Sequence, residues 1–230
     1  MDETVWYFTP AEFEVMMELS AGGEYSIYRL GPEPGDRELV LALASLYRRG
    51  FLHREGDALL PSRESAFFSK IRNAQTTVLM NAVHQKNAVI CYVEPDGTVW
   101  MCELEGSALT DQYRIWRMDC KCMDLWLFHM GFLEPPILVD GDLRGLIVQP
   151  QDSSSDLLLK LERYRNGGLL ICEYSVLSSQ DGRLIRIREE NRESFRVYTK
   201  ESLSEALQCC FGKDRYDYRE RESSCVGEGI

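Results

Sequence analysis

Apolar and polar positions alternate along this chain in two regimes. Over the N-terminal third the spacing is mostly helical. Val5-Trp6-Tyr7-Phe8 reads as a short strand, and Thr9-Pro10-Ala11-Glu12 then has the form of a capping box with proline at the first helical position. That helix is expected to reach about Leu19, turn Phe13, Met16 and Met17 inward, and stop at Gly22-Gly23. Tyr25 to Leu30 reads as a strand and Gly31 to Gly35 as a loop. Asp36 caps a second helix, which runs to Arg49 with Gly50 at its C-terminal turn; its apolar stripe is Leu39, Val40, Leu43, Leu46 and Tyr47. Phe51-Leu52 and Ala58-Leu59-Leu60 flank Gly56-Asp57 as a tight hairpin. From Ser62 to Val83 the positions Phe67, Ile71, Ala74 and Val78 predict one long helix.

From Val89 the period changes. Val89–Val93, Val99–Leu104 and Tyr113–Asp119 read as strands, with a turn at Pro95-Asp96-Gly97, and Lys121–Met130 as a helix stopped by Gly131. That helix is apolar nearly all round, which predicts burial on several sides or a place at an interface. Beyond Pro135-Pro136 and a Ser-rich loop, Gln149–Asp156, a helix is expected to about Tyr164, ended by Asn166-Gly167-Gly168. Leu169–Leu177, Arg183–Arg188 and Phe195–Tyr198 are expected strands, with Gln180-Asp181-Gly182 as a turn. Thr199 caps a final helix that ends near Phe211-Gly212, and the tail from Lys213 is charged.

The two later stretches look alike. Ile90-Cys91 stands in the first strand of one and Ile171-Cys172 in the first strand of the other, and the same interval separates Gly131 from Gly212. Tyr113-Arg114-Ile115-Trp116 similarly resembles Phe195-Arg196-Val197-Tyr198. The expected fold is therefore α+β: an N-terminal helical region with a hairpin over 1–86, a β-β-β-α unit over 87–131, a connection and helix over 132–167, a second β-β-β-α unit over 168–212, and a tail over 213–230. Three antiparallel strands with helices on one side leave a face uncovered. The two units are expected to join through a quasi-two-fold axis, edge to edge or back to back, in one body.

Composition narrows the chemistry. The chain has 230 residues, 26 basic against 37 acidic, for a net charge of −11. An acidic surface argues against general nucleic-acid binding, which needs Lys and Arg to neutralise phosphate. No apolar run approaches the ~20 residues of a membrane helix, and the opening Met-Asp-Glu-Thr has no secretory pattern. The expected location is cytoplasmic, with the eight cysteines serving as small buried hydrophobes.

No motif marks a catalytic or cofactor site. His53, His84 and His129 lie apart, Cys120-x-Cys122 has no second pair at zinc spacing, and there is no GxGxxG, GxxxxGK[ST] or GxSxG. The reading is accordingly a chain without catalytic residues, cofactor or metal ligands. Arg48 to Arg72 is locally basic, and a helix followed by a hairpin there resembles a recognition helix and wing, although one of the usual three helices is absent. A winged-helix regulator is the alternative function. For a protein partner, the loop Glu105–Gln112 with Leu109 at its apolar point, flanked by Trp100, Met101 and Trp116, is the expected docking site.

Thr9-Pro10-Ala11-Glu12-Phe13, Ala44-Ser45-Leu46-Tyr47-Arg48-Arg49-Gly50-Phe51-Leu52 and the Gly56-Asp57 turn together resemble the EspG-like proteins associated with type VII (ESX) secretion. The resemblance covers roughly the first 80 residues by pattern, and the rest by its quasi-two-fold layout. It implies a cytosolic chaperone that binds the tips of helical-hairpin secretion substrates, recognition without catalysis. No single motif here carries that family's binding residues.

Overall fold

The computed structural model describes residues 4–20, 30, 33–83, 88–106, 111–136, 156–165, 168–179, 182–189 and 192–212. The Gly22-Gly23 stop, the strand before Leu30, His84, Leu109 at the loop tip, the Ser-rich loop up to residue 155, Asn166-Gly167, Gln180-Asp181 and the tail from Lys213 lie outside these residues.

In chain order the elements are β1 (Val5–Phe8), α1 (Pro10–Leu19), α2 (Asp36–Arg48), β2 (Leu52–Glu55), β3 (Ala58–Pro61), a 3-10 turn (Arg63–Ser65), α3 (Phe67–Arg72), β4 (Thr76–Ala82), β5 (Val89–Val93), β6 (Thr98–Gly106) and β7 (Asp111–Asp119). A second 3-10 turn (Cys120–Cys122), α4 (Met123–His129), β8 (Asp156–Arg165), β9 (Leu169–Ser179), β10 (Gly182–Glu189), β11 (Arg192–Val197) and α5 (Lys200–Phe211) follow. The protein is α+β, built on one nine-stranded antiparallel sheet in the order β1-β7-β6-β5-β4-β8-β9-β10-β11, with β2 and β3 as a separate hairpin.

Two helix expectations are corrected. The stretch 62–83 is a 3-10 turn, a short helix and then strand β4. Helix α3 stops at Asn73, whose side-chain amide donates to the Ser69 carbonyl, and the β-branched run Thr76-Thr77-Val78 continues as strand. The stretch 156–164 is strand β8 rather than helix. Three consecutive leucines imitate a helical face, but a bulge between Leu157 and Leu159 shifts the phase so that Leu158 and Leu159 both pack on the core. Each expected three-stranded unit thus gains a strand in front of it, and the junction between halves is the β4–β8 ladder, edge to edge.

Both faces of the sheet are packed, by different layers. On one face α4 and α5 cover a core that spans both halves, from Met118, Met101, Cys91 and Val78 through Leu161, Tyr174, Val176 and Ile185. On the other face α1, α2, α3 and the hairpin cover β5, β6 and β7 through Phe8, Phe13, Met16, Phe68, Tyr92, Trp100 and Ile115. No member of that second cluster lies on β8–β11. Helix α4 buries Met123 and Leu127 and rests Trp126 against Trp116 and Phe132, yet Leu125 is 66% exposed, so it is a surface helix rather than a central one.

The expected capping box of α1 is present: Thr9 Oγ1 accepts from Glu12 N–H, and Glu12 accepts from Thr9 N–H. Helix α2 differs from expectation in its cap and its rotation. Gly35 takes the N-cap position and donates its N–H to Glu38. Ala42 and Leu46 are the buried residues, Leu39 and Leu43 rest against the core, and Val40 and Tyr47 face outward.

Buried Glu12 sets that rotation. Its carboxylate accepts from Ser45 Oγ at 2.7 Å and from Arg49 Nη1 at 2.7 Å, in addition to Thr9 N–H at 2.9 Å. Arg49 also donates to the Tyr7 carbonyl and lies over the rings of Phe8 and Phe51. Arg72 closes the other end of α1 by donating to the carbonyls of Met17, Glu18 and Ser20, the groups a helix end leaves unpaired.

Candidate functional site

Of the sequence-predicted docking residues, Trp100, Met101 and Trp116 are buried and divide between the two faces of the sheet. Trp100 is buried against Phe67 and Trp6 on the α1–α3 side. Met101 and Trp116 are buried on the opposite side, under α4. Successive side chains of a strand point to opposite faces, so neighbours in sequence enter different cores. Leu109 lies outside the described residues.

The structure draws attention to another region, the face of β8–β11 opposite α5. Lys160 and Glu162 on β8, Glu173 and Ser175 on β9, Arg186 and Arg188 on β10 and Glu193 on β11 fall on this face by register. Glu173, buried, is the hub. Arg186 Nη2 approaches its carboxylate to 2.9 Å, Lys160 Nζ to 3.4 Å and Arg188 Nη1 to 3.6 Å. Lys160 also meets Glu162 at 2.6 Å, and Arg188 meets Glu193 at 3.1 Å. Ser175 donates to Glu173 and accepts from Arg186. Three cations and three carboxylates alternate across four strands.

Burial by itself would raise the Glu173 pKa. Lys160, Arg188 and Arg186 outweigh that penalty and hold its carboxyl below the usual range. Burial would likewise lower Lys160, and its bonds and attraction to Glu162 and Glu173 raise it instead. A carboxylate held ionised has no proton to give near neutrality, so this cluster is suited to ion pairing rather than to acid catalysis.

The pH dependence follows. A depressed folded-state pKa contributes stability above the unfolded value, and that contribution is lost as pH falls through the folded value. Stability is therefore expected to fall in acid more steeply in the native protein than in Glu173→Gln. Urea unfolding followed from about pH 3 to 7 checks this, and superimposable slopes would remove Glu173 from the account.

Elsewhere the chemistry is quiet. Burial pushes the thiols of Cys91, Cys102 and Cys210 up, away from the reactive thiolate. Among the described residues no group of three or more His, Cys, Asp or Glu is placed to hold a metal ion, and no helix is long and apolar enough to cross a membrane. The helix and hairpin that resemble a recognition helix and wing are α2 and β2–β3, and the outward face of α2 carries Val40, Leu41, Ala44 and Tyr47 with Arg37 and Arg48 near its ends.

The chain matches no protein-family model, and no curated protein matches its sequence.

The charge cluster escaped the sequence reading for a definable reason. Its signal is charge at alternate positions: Lys160 and Glu162, Glu173 and Ser175, Arg186 and Arg188. With 156–164 read as helix, the first of these pairs was not aligned with the others.

Proposed function

We propose that this protein is a non-catalytic, cytoplasmic binding factor, a chaperone for helical-hairpin segments of the kind the EspG-like resemblance implies. We further propose that its two halves, β4–α4 and β8–α5, are a quasi-two-fold repeat. The register of the sheet supports the repeat. Cys91 pairs with Val78, and its counterpart Cys172 pairs with Arg163. Val78 and Arg163 are themselves opposite one another across the junction. A rotation about that pair exchanges Thr77 with Glu162 and Leu79 with Tyr164, turning the pair Thr77–Tyr164 into Leu79–Glu162.

The observation that carries the binding role comes from that equivalence. In the first half the face under α1–α3 presents Tyr92 and Trp100, both buried. Their register counterparts in the second half are Glu173 and Arg188. Where the first half has a packed apolar layer, the second has a row of mutually paired charges. Such a row gives specificity by exchanging its internal partners for those of a ligand.

The test is co-purification with helical-hairpin secretion substrates encoded beside its own gene. A stoichiometric complex is expected, weakened at least about tenfold by Arg188→Glu while the thermal midpoint stays within a few degrees. A complex indifferent to Arg188→Glu and Glu193→Arg would move the binding surface elsewhere. Failure to form any such complex would remove the chaperone reading.

A further inference from the structure

Strand β11 ends the nine-stranded sheet. One side of it pairs with β10, and among the described residues no strand pairs with the other. In the first half the corresponding strand, β7, carries β1 on its outer side. The residues of β7 that take β1 are Tyr113-Arg114-Ile115-Trp116, the run that Phe195-Arg196-Val197-Tyr198 resembles. The groups that β11 offers follow from its pairing. Tyr198 N–H donates to the Arg183 carbonyl, so Tyr198 and, by alternation, Arg196, Ser194 and Arg192 turn their backbone groups to β10. Those of Val197, Phe195 and Glu193 turn outward. The Val197 carbonyl accepts from Ser202 Oγ at 2.7 Å, which leaves the Val197 N–H and both backbone groups of Phe195 and Glu193 to meet another strand. The strand has neither a proline nor a bulge against β10, the devices that commonly bar a further strand.

We propose that β11 binds an extended segment of another protein, added antiparallel at this edge, with apolar side chains opposite Val197 and Phe195 and a lysine or arginine opposite Glu193. The seating of β1 on β7 supplies the mode, antiparallel and extended. The cross-strand rows supply the chemistry. Leu177, Leu184 and Val197 stand side by side across three strands, an apolar row that favours an apolar neighbour. The next row, Ser175, Arg186 and Phe195, ends on a half-buried ring. In the third row Glu173, Arg188 and Glu193 alternate in sign, so the next place favours a cation. A second copy of this chain fits poorly. Antiparallel self-pairing of β11 about Ser194 sets Arg192 against Arg196, pairing about Glu193 or Arg196 sets that residue against itself, and pairing about Phe195 sets Glu193 against Val197. The inference goes beyond the proposed function: it rests on the strand order and register, and the division into two halves supplies only the comparison with β1.

The experiment uses the full chain and two labelled peptides, Thr-Val-Thr-Phe-Thr-Lys-Thr and its counterpart with glutamate for lysine. Fluorescence anisotropy is expected to show the lysine peptide bound about fivefold more tightly. The chain's net charge of −11 favours that peptide everywhere, so the local preference is read from Glu193→Lys, which should erase it. N-methylation of the valine, phenylalanine and lysine, whose N–H groups would face β11, should weaken binding at least about tenfold, whereas N-methylation of the two central threonines, whose N–H groups would face away, should not. Amide hydrogen exchange should find the Glu193 and Phe195 N–H open in the free protein and protected with the peptide, and the Ser194 N–H protected in both. Absence of binding, equal effects of the two methylation patterns, or a preference unchanged in Glu193→Lys would overturn the proposal. Binding that ignores methylation but is lost in Arg188→Glu would overturn it in favour of the charge row, so the two surfaces are told apart. Protection of the Phe195 N–H in the free protein would overturn it too, in favour of a second copy where protection rises with protein concentration and of a segment of this chain where it does not.

Discussion

Replacing Trp100 by alanine is expected to cost about 3–5 kcal/mol of folding stability, the range for truncating a large buried aromatic. The ring stacks on Phe67 with centroids 5.2 Å apart and meets Trp6 at 6.0 Å, and its indole N–H donates to Glu94 at 2.6 Å. Alanine removes all three contacts and leaves a cavity under α3 that helices anchored elsewhere cannot fill. Trp100→Phe keeps most of the stacking and loses the donor. Lys70 remains beside Glu94 at 3.2 Å, so this change should cost only roughly 1–2 kcal/mol. Urea denaturation followed by circular dichroism separates the two. A Trp100→Ala protein within about 1 kcal/mol of wild type would contradict the packing described, because only a surface indole is lost so cheaply.

Glu12→Ala is expected to cost about 3 kcal/mol and to lower the thermal midpoint by roughly 6–12 °C in a chain of this size. The carboxylate joins three elements: it caps α1 through Thr9, holds α2 through Ser45 and binds Arg49, which reaches Tyr7 on β1. Its loss removes the cap contact and leaves the Ser45 hydroxyl and one arm of Arg49 without this acceptor. Arg49→Ala leaves the opposite defect, a buried carboxylate without its cation, and should cost about 2–3 kcal/mol, because the partly exposed arginine lets water approach. The double variant should be less destabilised than the two singles added together, since each removes the same ion pair. Strict additivity in that cycle would show that Glu12 and Arg49 act separately.

The legible parts of the fold were those with a local cause. The Thr9–Glu12 capping box, the Gly56 hairpin and the Thr199 cap of α5 each rest on residues within a few positions of one another, and each appears where expected. The α+β class followed from the change of period at Val89. Strand β4 was misread because apolar side chains enter on both of its faces, which blurs the alternation that marks a strand, and β8 because the bulge at Leu157/Leu159 breaks its alternation and sets three leucines in a row. The rotation of α2 was not legible either. Leu39, Val40, Leu41, Leu43, Leu46 and Tyr47 offer two apolar faces, and the choice is made by Ser45 and Arg49 reaching a glutamate 33 and 37 positions earlier. The candidate site depended on the reading of β8. A charge row across four strands exists only once their registers are known, and one of those strands had been read as helix.

The β4–β8 ladder has a consequence for the life of the nascent chain. Every other described pairing within the two four-stranded halves joins strands consecutive in sequence, whereas this one must wait for a chain segment synthesised much later. During translation β4, β5, β6 and β7 can zip together while β8 is still inside the ribosome. For that interval Thr76-Thr77-Val78-Leu79-Met80-Asn81-Ala82 is an open sheet edge without a single charged residue or proline to discourage pairing with a neighbour. Chains truncated before Asp156 are therefore expected to aggregate through β4, and Val78→Lys in such a truncation should restore solubility. The same substitution in the full chain should be destabilising, because there Val78 is buried beneath α4 and α5.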